Sequence, residues 1–143
     1  MKFIKVAHAF EAIEKVSSRL EITRLLADLL REATPQEASI IVNLSLGQLN
    51  PPYIGTQFNI AEKSAVPVVA QLLGISDAEV KKEAASVGDL GTLLVAGSWM
   101  PHNELSIEDV YYALAHIEQI SGTGSQEEKA EALRSLLSNL DQI

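Results

Sequence analysis

The sequence contains no cysteine, so neither a disulfide framework nor a thiolate metal site can organise it. No apolar run approaches the roughly 20 residues that a membrane-spanning helix requires. The opening stretch MKFIKVAHAFEAIEK is amphipathic and carries Glu11 and Glu14, unlike a secretory leader. The expected compartment is therefore the cytoplasm, or the nucleus in a eukaryote. Positive charge is scarce: 11 Lys and Arg stand against 19 Asp and Glu, a formal net charge of -8. Such a balance argues against a protein that coats nucleic acid nonspecifically, because phosphate neutralisation falls to Lys and Arg. Any nucleic-acid contact must be local. Strand-like alternation is missing as well. What is present is 143 residues, 47% of them hydrophobic, enough for one compact domain with a real core.

The periodicity is helical. Phe3, Val6, Ala7, Phe10, Ile13 and Val16 recur at steps of three and four, and Leu25, Leu26, Leu29 and Leu30 continue the pattern on a second segment. TPQE places Thr34 at an N-cap, Pro35 at the first helical position and Glu37 in capping-box register, opening a third helix that is expected to reach about Leu49. Pro51 and Pro52 stop it, and YIGTQFN reads as a loop. Ser64 is expected to cap a helix with Pro67 in its first turn, ending at Gly74. Ser76 and Glu79 form the next box, Gly88 closes that helix, and Asp89 opens the short LGTLLVA. Residues 97 to 104 read as a loop whose Trp99 is packed. SIED then caps a helix that turns Val110, Leu114, Ile117 and Ile120 inward, and SQEE is expected to cap the last one. An all-α domain follows.

FEAIEKVSS at 10 to 18 repeats as LAHIEQISG at 114 to 122, at an offset of 117 minus 13, or 104. Ile13 matches Ile117, Glu14 matches Glu118 and Ser17 matches Ser121. About three extra residues then enter the second copy, after which LADLL matches LRSLL. The organisation expected is a first repeat over about 3–50, connecting helices over about 51–97 and a second repeat over about 105–143. Duplicated hairpins often present equivalent turns to one extended ligand, so the turns Ser17 to Arg19 and Gly122 to Ser125 are expected on a common surface. In the first copy a third helix follows; in the second the sequence ends at LLSNLDQI, which looks cut in mid-repeat. Such a cut would bare apolar surface near Leu133, Leu136 and Leu137 and invite self-association.

A glycine-rich turn leading into a helix exposes unpaired backbone N–H groups at the positive end of the helix dipole, where a phosphate can sit without a basic patch. Gly122 and Gly124 allow close approach, Thr123 and Ser125 supply hydroxyls, and Lys129, one turn on, is placed to add a point charge. Ser17, Ser18 and Arg19 would do the same in the first copy. SGTGS also suits a plain helix C-cap followed by an N-cap.

Four segments in order resemble the N-terminal DNA-binding domain of ATP-dependent DNA ligases: FEAIEKVSSRLEITRLLADLL, IIVNLSLGQLNPPYIGTQFNI, GDLGTLLVAG and ISGTGSQEEKAEALRSLL. The resemblance spans the chain from Phe3 onward. It implies an all-helical domain with two pseudo-symmetric halves that grips the minor groove of nicked double-stranded DNA, with the catalytic domains of the same parent chain as partners. It also implies a further helix of the F-x-x-R-x-L-x-G-K-L-R-x-G kind, which this sequence lacks. ATP and magnesium are implied for the parent ligase, and no cofactor for this stretch.

Little else in the sequence carries chemistry. His8, His102 and His116 have no metal-ligand spacing, and GTGS is neither a P-loop nor a dinucleotide fingerprint. The lysine that ligases adenylylate lies in K-x-D-G, a pattern that none of the seven lysines begins. The stretch is expected to be inactive alone. The competing function is an α-helical module that binds a partner protein in a groove between repeats, which an acidic surface suits equally well.

Overall fold

The structure, a computed structural model, describes residues 1–143 except Ala96, Ser98, His102 and Ile143. It is all-α. Eight helices are present among the described residues: α1 (Phe3–Glu14), α2 (Arg19–Arg31), α3 (Pro35–Ser45), α4 (Glu62–Leu73), α5 (Asp77–Val87), α6 (Leu90–Leu94), α7 (Ile107–Gln119) and α8 (Ser125–Ser138). The extended contact nearest to a strand there is an isolated antiparallel bridge between Lys2 and Ser106. Among the described residues no helix is long and apolar enough to cross a membrane.

Packing divides the chain into two compact units. The first takes residues 1–57 and 104–115, so it holds α1, α2, α3 and most of α7. Its core is Val6, Leu29, Ile40, Ile41 and Ile107, with Phe3, Phe10, Leu26, Leu30 and Tyr111 packed around them. Val6, Ile41 and Ile107 are fully buried, each worth about 1.5–3 kcal/mol relative to exposure. Two backbone bonds tie the chain start to the entry of α7: Phe3 N–H donates to the Leu105 carbonyl and Ile107 N–H to the Met1 carbonyl, both at 2.9 Å.

The Thr34 capping box forms as expected. Glu37 N–H donates to Thr34 Oγ1 at 3.2 Å, and Thr34 N–H donates to Glu37 Oε1 at 2.9 Å. The other carboxylate oxygen of Glu37 accepts from the Met1 amino group, a partner 36 residues away. That bond, followed by the Thr34 amide, holds the Glu37 carboxyl below the usual carboxylate range, and desolvation works against both. A depressed carboxylate contributes stability that is present above its unfolded value and is lost as pH falls through its folded one. Urea midpoints should therefore fall as pH drops below about 5, and Glu37→Gln should flatten that acid limb. An acid limb unchanged in Glu37→Gln would refute this assignment.

The second unit takes residues 58–103 and 116–142. Val66, Val69, Ala70, Val80 and Leu93 form its core, and α4 packs against α5, α6 and α8. Trp99 is packed, as expected: its indole N–H donates to the Leu140 carbonyl at 3.0 Å, and its own carbonyl accepts from Gln142 Nε2 at 2.7 Å.

Several helix ends differ from the expectation. α3 stops at Ser45, not near Leu49, because the chain turns at Leu46 and Gly47, the latter at φ 71°. α4 starts two residues before Ser64, capped by Ala61 in extended conformation. Ser64 is thus inside the helix, and Pro67 lies in its interior, where its ring removes the bond to the Lys63 carbonyl. Ser125 does not cap α8: the cap is Gly124 at φ 78°, with no side-chain bond. Local caps elsewhere agree with the sequence. Ser76 accepts from Glu79 N–H at 3.2 Å, Asp89 from Gly91 N–H at 3.1 Å, and Ser106 and Asp109 exchange side-chain bonds.

Two matched pairs of the repeat share their burial, whereas Ile13 is only half-buried where its match Ile117 is buried. Val6 and Val110, 104 residues apart, are 0% and 2% exposed; Leu29 and Leu136, 107 apart, are 4% and 6%. The bare leucine patch expected on α8 does not form: Leu136 is buried, and Leu133 and Leu137 are half-buried. The apolar face of α8 is covered by α4.

Candidate nucleic-acid interface

Ser17, Ser18 and Arg19 share one exposed turn of the first unit. Ser18 caps α2, its Oγ accepting from Glu21 N–H at 3.4 Å. The carboxylate in this first turn is already engaged: Glu21 pairs with Arg24, which holds its carboxyl below the usual range. Arg24 reaches Asp28 at 3.1 Å, and Arg31 reaches the same carboxylate at 2.7 Å. These pairs run along one helix surface at three- and four-residue spacing. Arg19 stands outside this ladder and outside every ion pair among the described residues. It is therefore a cation whose charge is unmatched, beside two exposed hydroxyls and a helix start.

Gly122, Thr123, Gly124 and Ser125 share one turn of the second unit. Gly122 at φ 97° and Gly124 at φ 78° occupy the left-handed region, which other residues enter only at a cost. Ser125 N–H donates back to the Gly122 carbonyl at 3.2 Å, and Glu128 N–H to the Gly124 carbonyl at 3.3 Å. The amides of Gln126 and Glu127 have no carbonyl to reach within the helix, as for any first turn. Opposing an anion there are the carboxylates of Glu127 and Glu128, both exposed.

Lys129 departs from its expected role. Its residue is only 4% exposed, and its Nζ donates to the Phe58 carbonyl at 2.7 Å. The ammonium is thus directed at the protein's own backbone and is not offered to a phosphate at the turn. Beside it Gln126 adds two bonds, accepting from Ala61 N–H at 3.1 Å and donating to the Asn59 carbonyl at 2.7 Å. Asn59 has φ 53°, the one non-glycine positive value among the described residues. The first two turns of α8 therefore clasp residues 58–61. Sequence reasoning missed this clasp, since its partners lie 65 to 71 residues apart.

Three further exposed cations, Lys63, Lys81 and Lys82, enter no ion pair among the described residues. Lys63 borders a groove of about 580 Å³ between α4 and α8, with Gln71, Gln126, Glu131 and Arg134 on its walls. Arg134 there is tied to Glu131 at 3.0 Å. Of the histidines, His8 is exposed with Nδ1 3.8 Å from Glu11, and His102 lies outside the described residues.

Comparison with known proteins gives a consistent result. The family model described as DNA ligase N terminus matches residues 2–143. A "Probable DNA ligase" of Persephonella marina is 33% identical over 141 residues, covering 96% of this chain and 24% of that protein. "DNA ligase 1" of Methanosarcina mazei is 33% identical over 137 residues, with the same two coverages. A "DNA ligase" of Pyrobaculum arsenaticum is 32% identical over 149 residues, covering 95% of this chain and 25% of that protein. The chain thus spans about a quarter of the length of these relatives.

Proposed function

Because this chain belongs to the DNA ligase N-terminus family, we propose that it is the DNA-binding domain of an ATP-dependent DNA ligase. In this reading it grips the minor groove of nicked duplex DNA through phosphate contacts, so that catalytic domains on the same polypeptide can seal the nick. The observation that supports the reading is the Ser17 to Arg19 turn: an unmatched guanidinium, two exposed hydroxyls and a helix start meet on one exposed turn, the kind of donor set that suits a phosphate. The glycine turn at 122–125 supplies a second helix start, with amides in place of cations. Lys129 supports that turn as a positioning residue through the clasp. ATP and magnesium belong to the catalytic part of the parent protein, since no K-x-D-G lysine occurs in this stretch.

The ionic contribution to binding is small. With Lys129 buried and six of the other cations in ion pairs, Arg19, Lys63, Lys81 and Lys82 are the cations left to neutralise phosphates. Even if all of them did so, the plot of log affinity against log salt would fall with a slope no steeper than about 4. Fluorescence anisotropy with a labelled nicked duplex at two salt concentrations should show weak binding with little sequence preference. Arg19→Ala should weaken it equally on unrelated sequences and reduce the slope by about one. Binding and slope that are both unaltered in Arg19→Ala would remove the first turn from the interface; no binding by the wild type would sink the reading.

A further inference from the structure

From residue 38 to residue 61 the chain carries no Asp, Glu, Lys, Arg or His, in a protein whose charged residues make up 21% of the whole. Inside that run, after α3, a tight turn projects two large apolar side chains: Tyr53 is 86% exposed and Ile54 61%. The turn is rigid. Pro51 and Pro52 fix its φ angles, and the Pro51 carbonyl accepts from both Ile54 N–H at 3.0 Å and Gly55 N–H at 3.3 Å. Gly55 takes φ 78° to close it. At its base Leu49 is buried, and its N–H donates to Thr56 Oγ1 at 2.9 Å. The turn sets two large apolar groups side by side in solvent, and its own backbone bonds hold that arrangement before any partner arrives.

We infer that the Tyr53–Ile54 turn is an apolar contact with duplex DNA, packing on sugars and base edges in the minor groove and adding affinity that is independent of salt. The inference rests on the DNA-binding reading above and names a further binding element for it. Two observations favour DNA as the occupant. Few uncommitted cations remain, so non-ionic contacts must supply much of the affinity. A chain of net charge -8 repels a polyanion overall, and this run is the longest in the sequence without a carboxylate. Apolar side chains presented to a minor groove pack on its walls and wedge against base steps. The turn belongs to the same unit as Ser17, Ser18 and Arg19.

The test compares the wild-type 143-residue chain with the double variant Tyr53→Ala, Ile54→Ala on a labelled nicked duplex at several salt concentrations. Both side chains lie in solvent, so circular dichroism melts should coincide. The double variant should bind about tenfold more weakly, the scale of losing the burial of about one apolar side chain, with the salt slope unchanged. Arg19→Ala, by contrast, should weaken binding and lower the slope by about one. Tyr53→Trp should in addition show indole emission quenched by the duplex. Wild-type binding together with equal affinity in the double variant overturns the inference and leaves the DNA-binding reading standing; absence of wild-type binding overturns both. A drop in slope would make the turn an electrostatic element and refute it. Concentration-dependent self-association that the double variant abolishes, with DNA affinity unaltered, would assign the turn to a contact between copies and refute it as well.

Discussion

Lys129→Ala is expected to destabilise the chain by about 2 kcal/mol, the sum of lost packing around the stem and a buried carbonyl left without its donor. For a protein of this size that is a melting temperature lower by roughly 6 °C. The residue is buried and its ammonium meets the Phe58 carbonyl at 2.7 Å, so the loss falls on the clasp that joins α8 to residues 58–61. The same substitution on a phosphate-contacting lysine would leave stability untouched and reduce the salt slope of DNA binding by about one. The two measurements together therefore distinguish a buried support from a phosphate ligand. In Lys129→Ala the melt should shift while the slope stays constant, and affinity should fall only as far as the glycine turn loosens. An unshifted melt with a slope reduced by one would return Lys129 to the phosphate contacts.

Why this role escaped the sequence is a matter of range. A lysine one turn into a helix after SGTGS looks like an anion ligand because the pattern reports only its neighbours. The acceptor that fixes it, the Phe58 carbonyl, is 71 residues away and leaves no trace in local spacing. What depended on bonds spanning two or three residues was legible: the caps at Thr34, Ser76, Asp89 and Ser106 all form. So was the all-α class, since helical periodicity and the lack of alternation agreed throughout. Errors arose where two local signals competed. Ser64 has the chemistry of an N-cap, yet Ala61 takes that place and the helix begins at Glu62. Ser125 likewise has a capping side chain, but Gly124 is already left-handed, and the N–H of Ser125 is consumed by the Gly122 carbonyl. The links from Phe3 to Leu105 and from Ile107 to Met1 were illegible for the same reason as the Lys129 clasp. At the candidate site, sequence reading found the two turns as units of chemistry. Arg19 has Ile22 and Thr23 at the three- and four-residue spacings where a helical partner would stand, while Glu21 pairs with Arg24.

Gly124→Val should remove about 2 kcal/mol of stability and most of the DNA affinity. Gly124 sits at φ 78° as the cap residue from which α8 departs. A β-carbon added there would meet no atom within 4 Å, so crowding is not the cost. The cost is backbone strain, on the order of 1–3 kcal/mol for a non-glycine residue in the left-handed region and greatest for a β-branched one. If the chain escapes the strain by rotating Gly124 into an extended conformation, the turn reopens. The bond from Ser125 N–H to the Gly122 carbonyl is then lost, and the amides of Gln126 and Glu127 no longer converge. Gly124→Asn provides the control, because asparagine tolerates the left-handed region far better than valine. It should keep most of the stability, and with it the affinity for a nicked duplex. Equal melting temperatures for Gly124→Val and wild type would show that the positive φ is not needed. A stable Gly124→Asn that has lost DNA binding would instead assign the glycine to close approach of the phosphate, with space at the backbone, not conformation, as the limiting factor.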